Sequence, residues 1–302
     1  MSGSQWRTFK VGETAHEEDG RKRSYAHEDG RERPYGGSAQ REARLQAHYA
    51  VQWLARAARA YAMPRPDDQH TNLGWDDSIS GLTTHPLAQS LVLGLNVAAL
   101  RLVLCEGATT VGAAVIDLQG LRDADIRQWL GGHLSAKGLD AAALDAPSPY
   151  EMPAHPLGRG APHGAPGLAP ALAELATWFA NAHLALEETR QRIVSNGIAA
   201  PPVCCWPHHF DLDSLIQRGS GTGAHTVGVG FSPGDEFYEQ PYFYVSRYPS
   251  PDVATLPALP PVGHWHTHHF TAAVAVADRI LAAPDPQAET AAFLRAATDI
   301  LL

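Results

Sequence analysis

The spacing of apolar and polar positions divides the chain into helical and extended stretches. From Ala39 onward, apolar side chains such as Leu45, Tyr49 and Trp53 recur at helical spacing. Pro64 follows this stretch and cannot continue a helix. The sequence therefore predicts a first helix that starts close to Ala39 and ends before Pro64.

Three further stretches carry helical signals. Residues 170–195 place Leu172, Leu175 and Phe179 on one face, and Asn196–Gly197 supplies a stop signal. Residues 123–134 open with an acidic N-cap candidate. Residues 287–302 again keep their apolar positions on one face. We predict a helix for each stretch.

Runs of aliphatic and aromatic residues predict strands between these helices. Residues 90–105 fit one long strand or two shorter ones, with residues 111–121 as the hairpin partner. The last third of the chain carries four more strand candidates: residues 202–210, 226–231, 242–248 and 265–275. Strands are grouped rather than alternating with helices, which favours an α+β fold. We predict a single domain over residues 39–302, with a largely antiparallel sheet packed against several helices.

Residues 1–38 differ from the rest of the chain. They are charged, poor in aliphatic side chains, and contain the near-repeat AHEEDGRKRSY and AHEDGRERPY. Such a composition buries too little apolar area to offset the entropy lost on ordering. We predict a disordered charged tail.

Composition and charge argue against two classes of partner, nucleic acids and membranes. The 302-residue chain is 44% hydrophobic and carries a net charge of -9, which argues against a nucleic-acid partner because phosphate neutralisation needs a basic face. The sequence has no run of 18 apolar residues and no secretory signal, so no membrane partner is expected. Three cysteines, an odd number, fit a reduced, cytoplasmic protein. The scarcity of lysine suggests a high-GC bacterial genome. The oligomeric state is not predicted.

Two short windows hold the candidate chemistry. CCWPHHFDLD spans residues 204–213, and GHWHTHHF spans residues 263–270. On a strand, alternate side chains share a face, so His264, His266 and His268 would point one way. His209, Asp211 and Asp213 would do the same if their segment is extended. Mixed imidazole and carboxylate ligands suit zinc, iron or manganese.

We therefore predict a divalent metal site with four ligands: His209, Asp211, His264 and His266. His208 and Glu239 are the candidate catalytic groups, which would orient the ligands or contact the substrate. The predicted function is a metal-dependent enzyme, of hydrolase or non-haem oxygenase type, that acts on a small polar organic molecule. No G-x-G-x-x-G or P-loop motif occurs, so no nucleotide cofactor is expected.

Three alternatives stay open. The histidines could form a polar cluster in which each imidazole bonds to a carbonyl or a carboxylate. They could form a metal-free site in which His266 or His209 is a general base, with Asp211 orienting the imidazole. The protein could also be a non-catalytic small-molecule or partner-binding protein with a metal-free pocket of histidines and aromatic residues.

Aromatic residues are dense after the turn at Ser232–Asp235. The stretch from Tyr242 to Tyr248 would either pack on helices or wall a pocket, with Glu239 or Arg247 giving that pocket polarity. The cysteines of the first window have a simpler interpretation, since free cysteine is usually a small buried hydrophobe.

Five motifs carry a resemblance that extends over residues 40–302. They are DDQHTNLGWDD, WPHHFDL, GFSPGD, PYFYVSRYPSP and HWHT. This pattern resembles a family of bacterial proteins of unknown function. The resemblance implies that the motifs belong to one domain. The PGD turn and the aromatic strand after it are also similar to a broader family of unknown function, which implies that Asp211 is structural or general to the fold and that His208 and His209 define a subgroup. It also implies that His264 and His266, rather than His268 and His269, belong to the shared pattern. It implies no reaction.

Overall fold

A computed structural model describes residues 6–8, 37–107 and 113–302 of the protein. Within these ranges the chain forms five α-helices and eleven β-strands. The helices are α1 (Ser38–Tyr61), α2 (Asp123–Ala136), α3 (Ala169–Ser195), α4 (Ala277–Leu281) and α5 (Pro286–Leu301).

The strands form one sheet in which every pair is antiparallel. They are β1 (Leu73–Asp76), β2 (Gly81–Thr84), β3 (Leu91–Asn96), β4 (Arg101–Glu106), β5 (Ala114–Asp117), β6 (Cys204–Trp206), β7 (Asp211–Arg218), β8 (His225–Ser232), β9 (Tyr242–Tyr248), β10 (Gly263–His266) and β11 (Ala272–Val276). The order across the sheet is β10-β11-β9-β8-β7-β6-β1-β2-β3-β4-β5. The predicted α+β domain with an antiparallel sheet is confirmed.

Two meanders meet in the middle of this sheet. Strands β1 to β5 follow one another in order, as do β6 to β9, and the two sets join where Leu73 of β1 pairs with Cys205 of β6. The last hairpin enters in reverse, so that β11 pairs with β9 and β10 becomes an edge strand. This reversal places the two histidines of β10 at the edge of the sheet, far from β7.

The long helices cover one face of the sheet, which we call the helix face. Helix α1 contacts β2 and β3, α3 contacts β1, β7 and β8, and α5 contacts β8, β9 and β11. A group of stacked and tilted aromatic rings fills the interface, with centroids 4.9–6.1 Å apart: Trp75, Trp178, Phe179, Phe210, Phe231 and Phe243. Apolar burial on this face supplies the main stabilisation. The opposite face, here the open face, carries glycines and polar side chains.

Four predicted helices are confirmed, with bounds that differ by at most two residues from α1, α2, α3 and α5. Residues 90–105 are two strands, β3 and β4, and β5 is the predicted hairpin partner. The single strand predicted over residues 265–275 is wrong: β10 ends at His266, the chain turns through His269 at φ +68°, and β11 begins at Ala272. Three strands were not predicted: β1, β2 and β7.

The predicted disordered tail falls mainly on residues outside the described part of the chain. The structure does describe Trp6–Thr8, which lies against the domain, with Trp6 packed on the main core. Among the described helices, none has the length and apolar character needed to cross a membrane.

Phe231 tests the aromatic interface directly. Its ring is fully buried against Trp178, Phe179 and Phe243. Phe231→Ala should lower the free energy of unfolding by about 3–5 kcal/mol, because it removes buried area and leaves a cavity. Urea denaturation followed by circular dichroism measures the loss. Val115→Ala is the control, since Val115 is 56% exposed on the open face, and it should change stability by less than about 0.5 kcal/mol. Equal losses in the two variants would contradict the assigned core.

Candidate functional site

The first window forms a tight turn between β6 and β7. The backbone N–H groups of His209 and Phe210 both donate to the carbonyl of Trp206, at 3.1 Å and 2.7 Å. Phe210 has φ +60°, a left-handed conformation that is uncommon for a bulky side chain. Its ring is buried against Phe179 and stacks on His48 of α1. Packing of the ring therefore maintains a costly backbone conformation.

Two side chains of helix α1 hold the same turn through its backbone. The carbonyl of Pro207 lies 3.0 Å from His48 Nε2 and accepts a second hydrogen bond from Gln52 Nε2 at 2.9 Å. Burial, together with the nearby charge of Arg44, lowers the pKa of His48 to about 4, so this imidazole is neutral and donates through Nε2. The turn that leads into β7 is thus held by two buried side chains.

The adjacent histidines of the turn have different surroundings. His208 is half-buried between Tyr150 and Trp206, and its ring lies 4.1 Å from that of His209. Burial and then the charge of His209 lower the pKa of His208 to about 4. His209 is exposed and lies in the turn, whereas the prediction placed it on the same extended strand as Asp211.

Asp211 and Asp213 project from β7 onto the open face and meet at one tyrosine. The hydroxyl oxygen of Tyr244 lies 2.7 Å from Asp211 Oδ2 and 3.2 Å from Asp213 Oδ2. Tyr244 belongs to β9, so its side chain crosses β8 to reach β7. We call this group, Asp211 and Asp213 bridged by Tyr244, the carboxyl pair.

A glycine in β8 makes the crossing possible. Gly230 pairs with Asp213 on one side and with Tyr244 on the other. A Cβ atom at this position would lie 2.3 Å from Tyr244 Cζ and 2.7 Å from the carbonyl oxygen of Leu212. No larger residue fits without moving the ring, so Gly230 is required by the bridge itself.

Burial and mutual repulsion set the proton content of the pair. Burial and then the charge of Asp211 raise the pKa of Asp213 to about 8. Burial also raises the pKa of Asp211, although hydrogen bonding from Tyr244 and the charge of His209 oppose this. The pKa of Tyr244 is raised well above its usual value by burial and both carboxylates.

One proton order satisfies these contacts at neutral pH. The single hydroxyl proton of Tyr244 points to the closer carboxylate, Asp211, and the protonated carboxyl of Asp213 donates to the tyrosine oxygen. Asp213 is then neutral and Asp211 is charged. Hydrogen bonds thus connect the protonated Asp213, through the hydroxyl of Tyr244, to the charged Asp211.

Three polar atoms beside the pair have no hydrogen-bond partner among the described residues. They are Oδ1 of Asp211, Oδ1 of Asp213 and Nε1 of Trp206, all buried. Burial raises the pKa of Asp213, and hydrogen bonding from Trp206 nevertheless opposes this rise, so the indole N–H faces that carboxyl group. Buried polar atoms without a well-aligned partner are uncommon. Asp211, Trp206 and Tyr244 are each partly exposed, whereas Asp213 and the three atoms themselves are buried.

The second window forms a separate group at the edge of the sheet. The hydroxyl oxygen of Tyr238 lies 2.9 Å from His264 Nε2 and 2.9 Å from His266 Nδ1. His266 Nε2 contacts the carbonyl of His268 at 2.6 Å, so that nitrogen carries the proton and Nδ1 accepts from Tyr238. His264 then donates from Nε2, and its pKa is lowered by burial and the charge of Arg279. His268 lies beyond the end of β10, so the predicted face shared by three histidines stops at His266.

The structure does not bring the four predicted metal ligands together. Strands β8, β9 and β11 lie between β7 and β10. Four strand spacings of about 4.8 Å separate Asp211 from His264 and His266 by about 19 Å. Within the part of the chain that the structure describes, no group of three or more His, Cys, Asp or Glu side chains could hold a metal ion. The metal site stays a prediction, and this geometry gives it no support.

A row of tyrosines connects the two groups along the open face. The ring centroids of Tyr238 and Tyr242 are 5.0 Å apart, and those of Tyr242 and Tyr244 are 6.1 Å apart. Tyr242 donates to Asp235 Oδ2 at 2.5 Å. Phe243 and Val245, between these tyrosines in the chain, are buried in the main core. The predicted packing on helices is therefore confirmed for Phe243 and Val245, and the predicted pocket wall stays a prediction.

The structure also places Glu239, which was predicted to be catalytic, and two further residues of the sequence windows and motifs, Cys204 and Asp76. Glu239 is exposed, beside the turn that begins at Ser232. Cys204 faces the carboxyl pair, but burial and the charges of Asp213 and Asp211 raise its pKa to about 12, so it stays a thiol. Asp76 accepts from the backbone of Ser78 in the turn after β1.

A surface cavity of about 500 Å³ lies elsewhere, between α1 and the loop that ends at Gly164. Three of its polar side chains contact one another: His155 Nε2 lies 3.1 Å from Glu42 Oε2, and Gln46 donates to Glu42 at 2.8 Å. None of its lining residues belongs to the carboxyl pair or to β10.

The chain matches no protein-family model, no curated protein and no solved structure. The site is therefore interpreted from its own geometry.

Asp213 should give folding a distinctive pH dependence. Its folded pKa of about 8 exceeds the unfolded value of about 3.9. The folded protein thus keeps a proton that the unfolded chain releases. The associated stability is complete below about pH 4 and is lost as the pH rises through 8, by at most about 1.4 kcal/mol per pH unit. We expect Asp213→Asn to flatten the wild-type decline between pH 5 and pH 8 in urea denaturation.

Asp117→Asn is the matched control for this pH series. Asp117 is an exposed partner of Arg101 at the far edge of the sheet, so its substitution should leave the decline unchanged. Parallel curves for wild type and Asp213→Asn would contradict the raised pKa.

The hydrogen bonds of His264 and His266 in β10 also predict how the protein binds zinc. Because His266 uses both ring nitrogens and His264 Nδ1 is buried, zinc titration followed by calorimetry should give the same result for wild type and for His264→Ala/His266→Ala. One equivalent of zinc, iron or manganese in untagged protein, lost in the double variant, would contradict this and restore the predicted metal site.

Proposed function

We propose that the protein is an acid–base enzyme that acts on a small polar organic molecule bound on the open face. The observation that carries the proposal is the carboxyl pair, in which one tyrosine hydroxyl links a neutral and a charged carboxyl group. Side chains with shifted pKa values cluster at functional sites. A pKa of about 8 for Asp213 lies close to neutral pH, where general acid–base catalysis is most efficient.

Each residue has a distinct role in the proposed reaction. Asp213 gives its proton to a basic atom of the substrate, and Asp211 takes a proton from an acidic position. Tyr244 then accepts the proton from Asp211 and passes its own to Asp213, which restores the starting state. The net result is movement of a proton within the substrate, as in an isomerisation, and no second reactant is consumed.

The surroundings of the pair favour a polar ligand. The two Oδ1 atoms both accept hydrogen bonds, because the proton of Asp213 lies on the Oδ2 atom that faces Tyr244, and the indole N–H of Trp206 is a donor beside Asp213. The Trp206 ring supplies an apolar wall, and the exposed His209 supplies a titratable group at the rim. The proposal replaces the predicted hydrolase or oxygenase chemistry, because the residues assigned to that chemistry lie in two separate groups.

A ligand screen tests the binding step. Small polar molecules with adjacent donor and acceptor groups are tested by thermal shift against wild type, Asp211→Asn, Asp213→Asn and the control Asp117→Asn. We expect ligands that stabilise wild type and Asp117→Asn but neither pair variant. If every ligand stabilises all four proteins equally, the carboxyl pair is not the binding site.

Turnover separates an enzyme from a binding protein. The ligands found are incubated with protein and followed by proton NMR in deuterated buffer. We expect conversion or deuterium exchange that falls at least about 100-fold in Asp213→Asn, since a general acid or base contributes about 10²–10⁴-fold. The rate should decline above about pH 8, because Asp213 then loses the proton that it donates. Ligand binding through the pair without exchange would instead support the non-catalytic binding protein.

A further inference from the structure

The short segment Trp6–Thr8 is bound to the domain at a defined place. It lies against α3, the start of α5 and the turn between β1 and β2. The backbone N–H of Arg7 donates to Asn181 Oδ1 at 2.8 Å, and Asn181 Nδ2 donates to the carbonyl of Arg7 at 3.2 Å. The backbone N–H of Trp6 contacts Gln287 Oε1 at 3.4 Å.

Asn181 is an unusual residue for its position. It lies inside the 27-residue helix α3 and is 1% exposed. Asparagine forms helices poorly, and a buried amide without hydrogen bonds is costly. In the described part of the chain, both side-chain hydrogen bonds of Asn181 go to the backbone of Arg7. The amide is therefore satisfied by a peptide backbone that lies across the helix.

An amide that pairs with the N–H and C=O of one residue recognises the backbone, whatever the side chain. Selectivity must come from the flanking contacts. Trp6 is half-buried and packs on the main core, so its indole supplies most of the contact area. Arg7 reaches the surface and pairs with Asp77 at 2.7 Å and with Ser80 at 3.4 Å.

We propose that this surface, formed by Asn181, Asp77, Ser80 and Gln287, is a peptide-recognition site for an extended Trp-Arg segment. Trp6–Arg7 of the same chain is its intramolecular ligand. Residues 9–36 connect that ligand to the domain. Tethering of this kind raises the effective concentration of a ligand to about the millimolar range. A modest contact is then occupied within the chain, and a second polypeptide with the same dipeptide binds only when it displaces the first.

Competition with a free peptide tests the proposal on the full-length chain. A fluorescein-labelled peptide of residues 1–12 is titrated with wild type and with Trp6→Ala/Arg7→Ala, and binding is followed by fluorescence anisotropy. We expect the double variant to bind the peptide at least 10-fold more tightly than wild type does, because its own ligand no longer fills the site. The peptide with the same two substitutions should bind neither protein.

Substitutions in the site give an independent check. Asp77→Ala, added to the double variant, should weaken peptide binding several-fold. Because Asp77 also accepts from Trp75 Nε1 at 2.9 Å, circular dichroism checks that this variant keeps the fold. Asp117→Ala in the same background is the matched control and should leave binding unchanged. Asn181→Ala should abolish binding, with circular dichroism confirming that the helices remain.

Two outcomes would overturn the proposal. Equal affinity of the peptide for wild type and for the double variant would show that Trp6–Arg7 does not occupy the site where the peptide binds. A concentration-dependent dimer that disappears on Trp6→Ala/Arg7→Ala substitution would place the bound segment on a second copy of the chain. Light scattering over a range of protein concentrations distinguishes this second outcome from the intrachain contact.

Discussion

The burial of one face of the eleven-stranded sheet determines the rest of this structure. Each strand has two sides, and the long helices cover only one. Side chains that alternate toward the helices are apolar and tightly packed, whereas those on the other side are free to be polar. The same alternation places Phe243 and Val245 in the core and Tyr242 and Tyr244 on the open face. Polar chemistry on this sheet is possible because the opposite face supplies the stability.

Stability from the helix face also supports local strain where the site begins. Phe210 holds a left-handed backbone at the entrance to β7, and its buried ring compensates for that cost. His48 and Gln52 fix the neighbouring carbonyl of Pro207 from α1. The direction in which Asp211 leaves the turn is therefore set by residues on the other side of the sheet.

The carboxyl pair illustrates how burial creates reactivity. In water, Asp211 and Asp213 would both be charged at neutral pH, and a tyrosine between them would only donate. Burial makes the charged state of each costly, and proximity makes two charges costlier still, so a proton is retained. Gly230 permits this arrangement because it leaves space for the Tyr244 ring to cross a strand. Among the residues that the structure describes, the Oδ1 atoms of the pair have no well-aligned hydrogen-bond partner.

Two polar groups outside the carboxyl pair, the histidines of β10 and Asn181 of α3, obtain their hydrogen bonds in different ways. Tyr238 bridges the imidazoles of His264 and His266 at the sheet edge through its hydroxyl group. Asn181, by contrast, forms its side-chain hydrogen bonds, within the described residues, with a backbone segment that is distant in sequence. A buried polar side chain inside a helix thus indicates a contact with a segment that is distant in sequence.

The sequence by itself determined the four longer helices, the antiparallel character of the sheet and the two windows that hold polar groups. These follow from local periodicity and stop signals, which act within a few residues: α3 ends at Ser195 because Asn196 and Gly197 follow it. Strands β1, β2 and β7 escaped prediction because they are short or carry polar residues on alternate positions, and their stability comes from neighbours distant in sequence.

Only the tertiary structure decided which polar residues meet. The windows at residues 204–213 and 263–270 both lie on strands, but the reversed order of β10 and β11 separates them by three strands. Tyr244 and Tyr238, which complete the two groups, looked like ordinary members of an aromatic run. Strand order depends on pairing between segments that are distant in sequence, and no local pattern of residues encodes it.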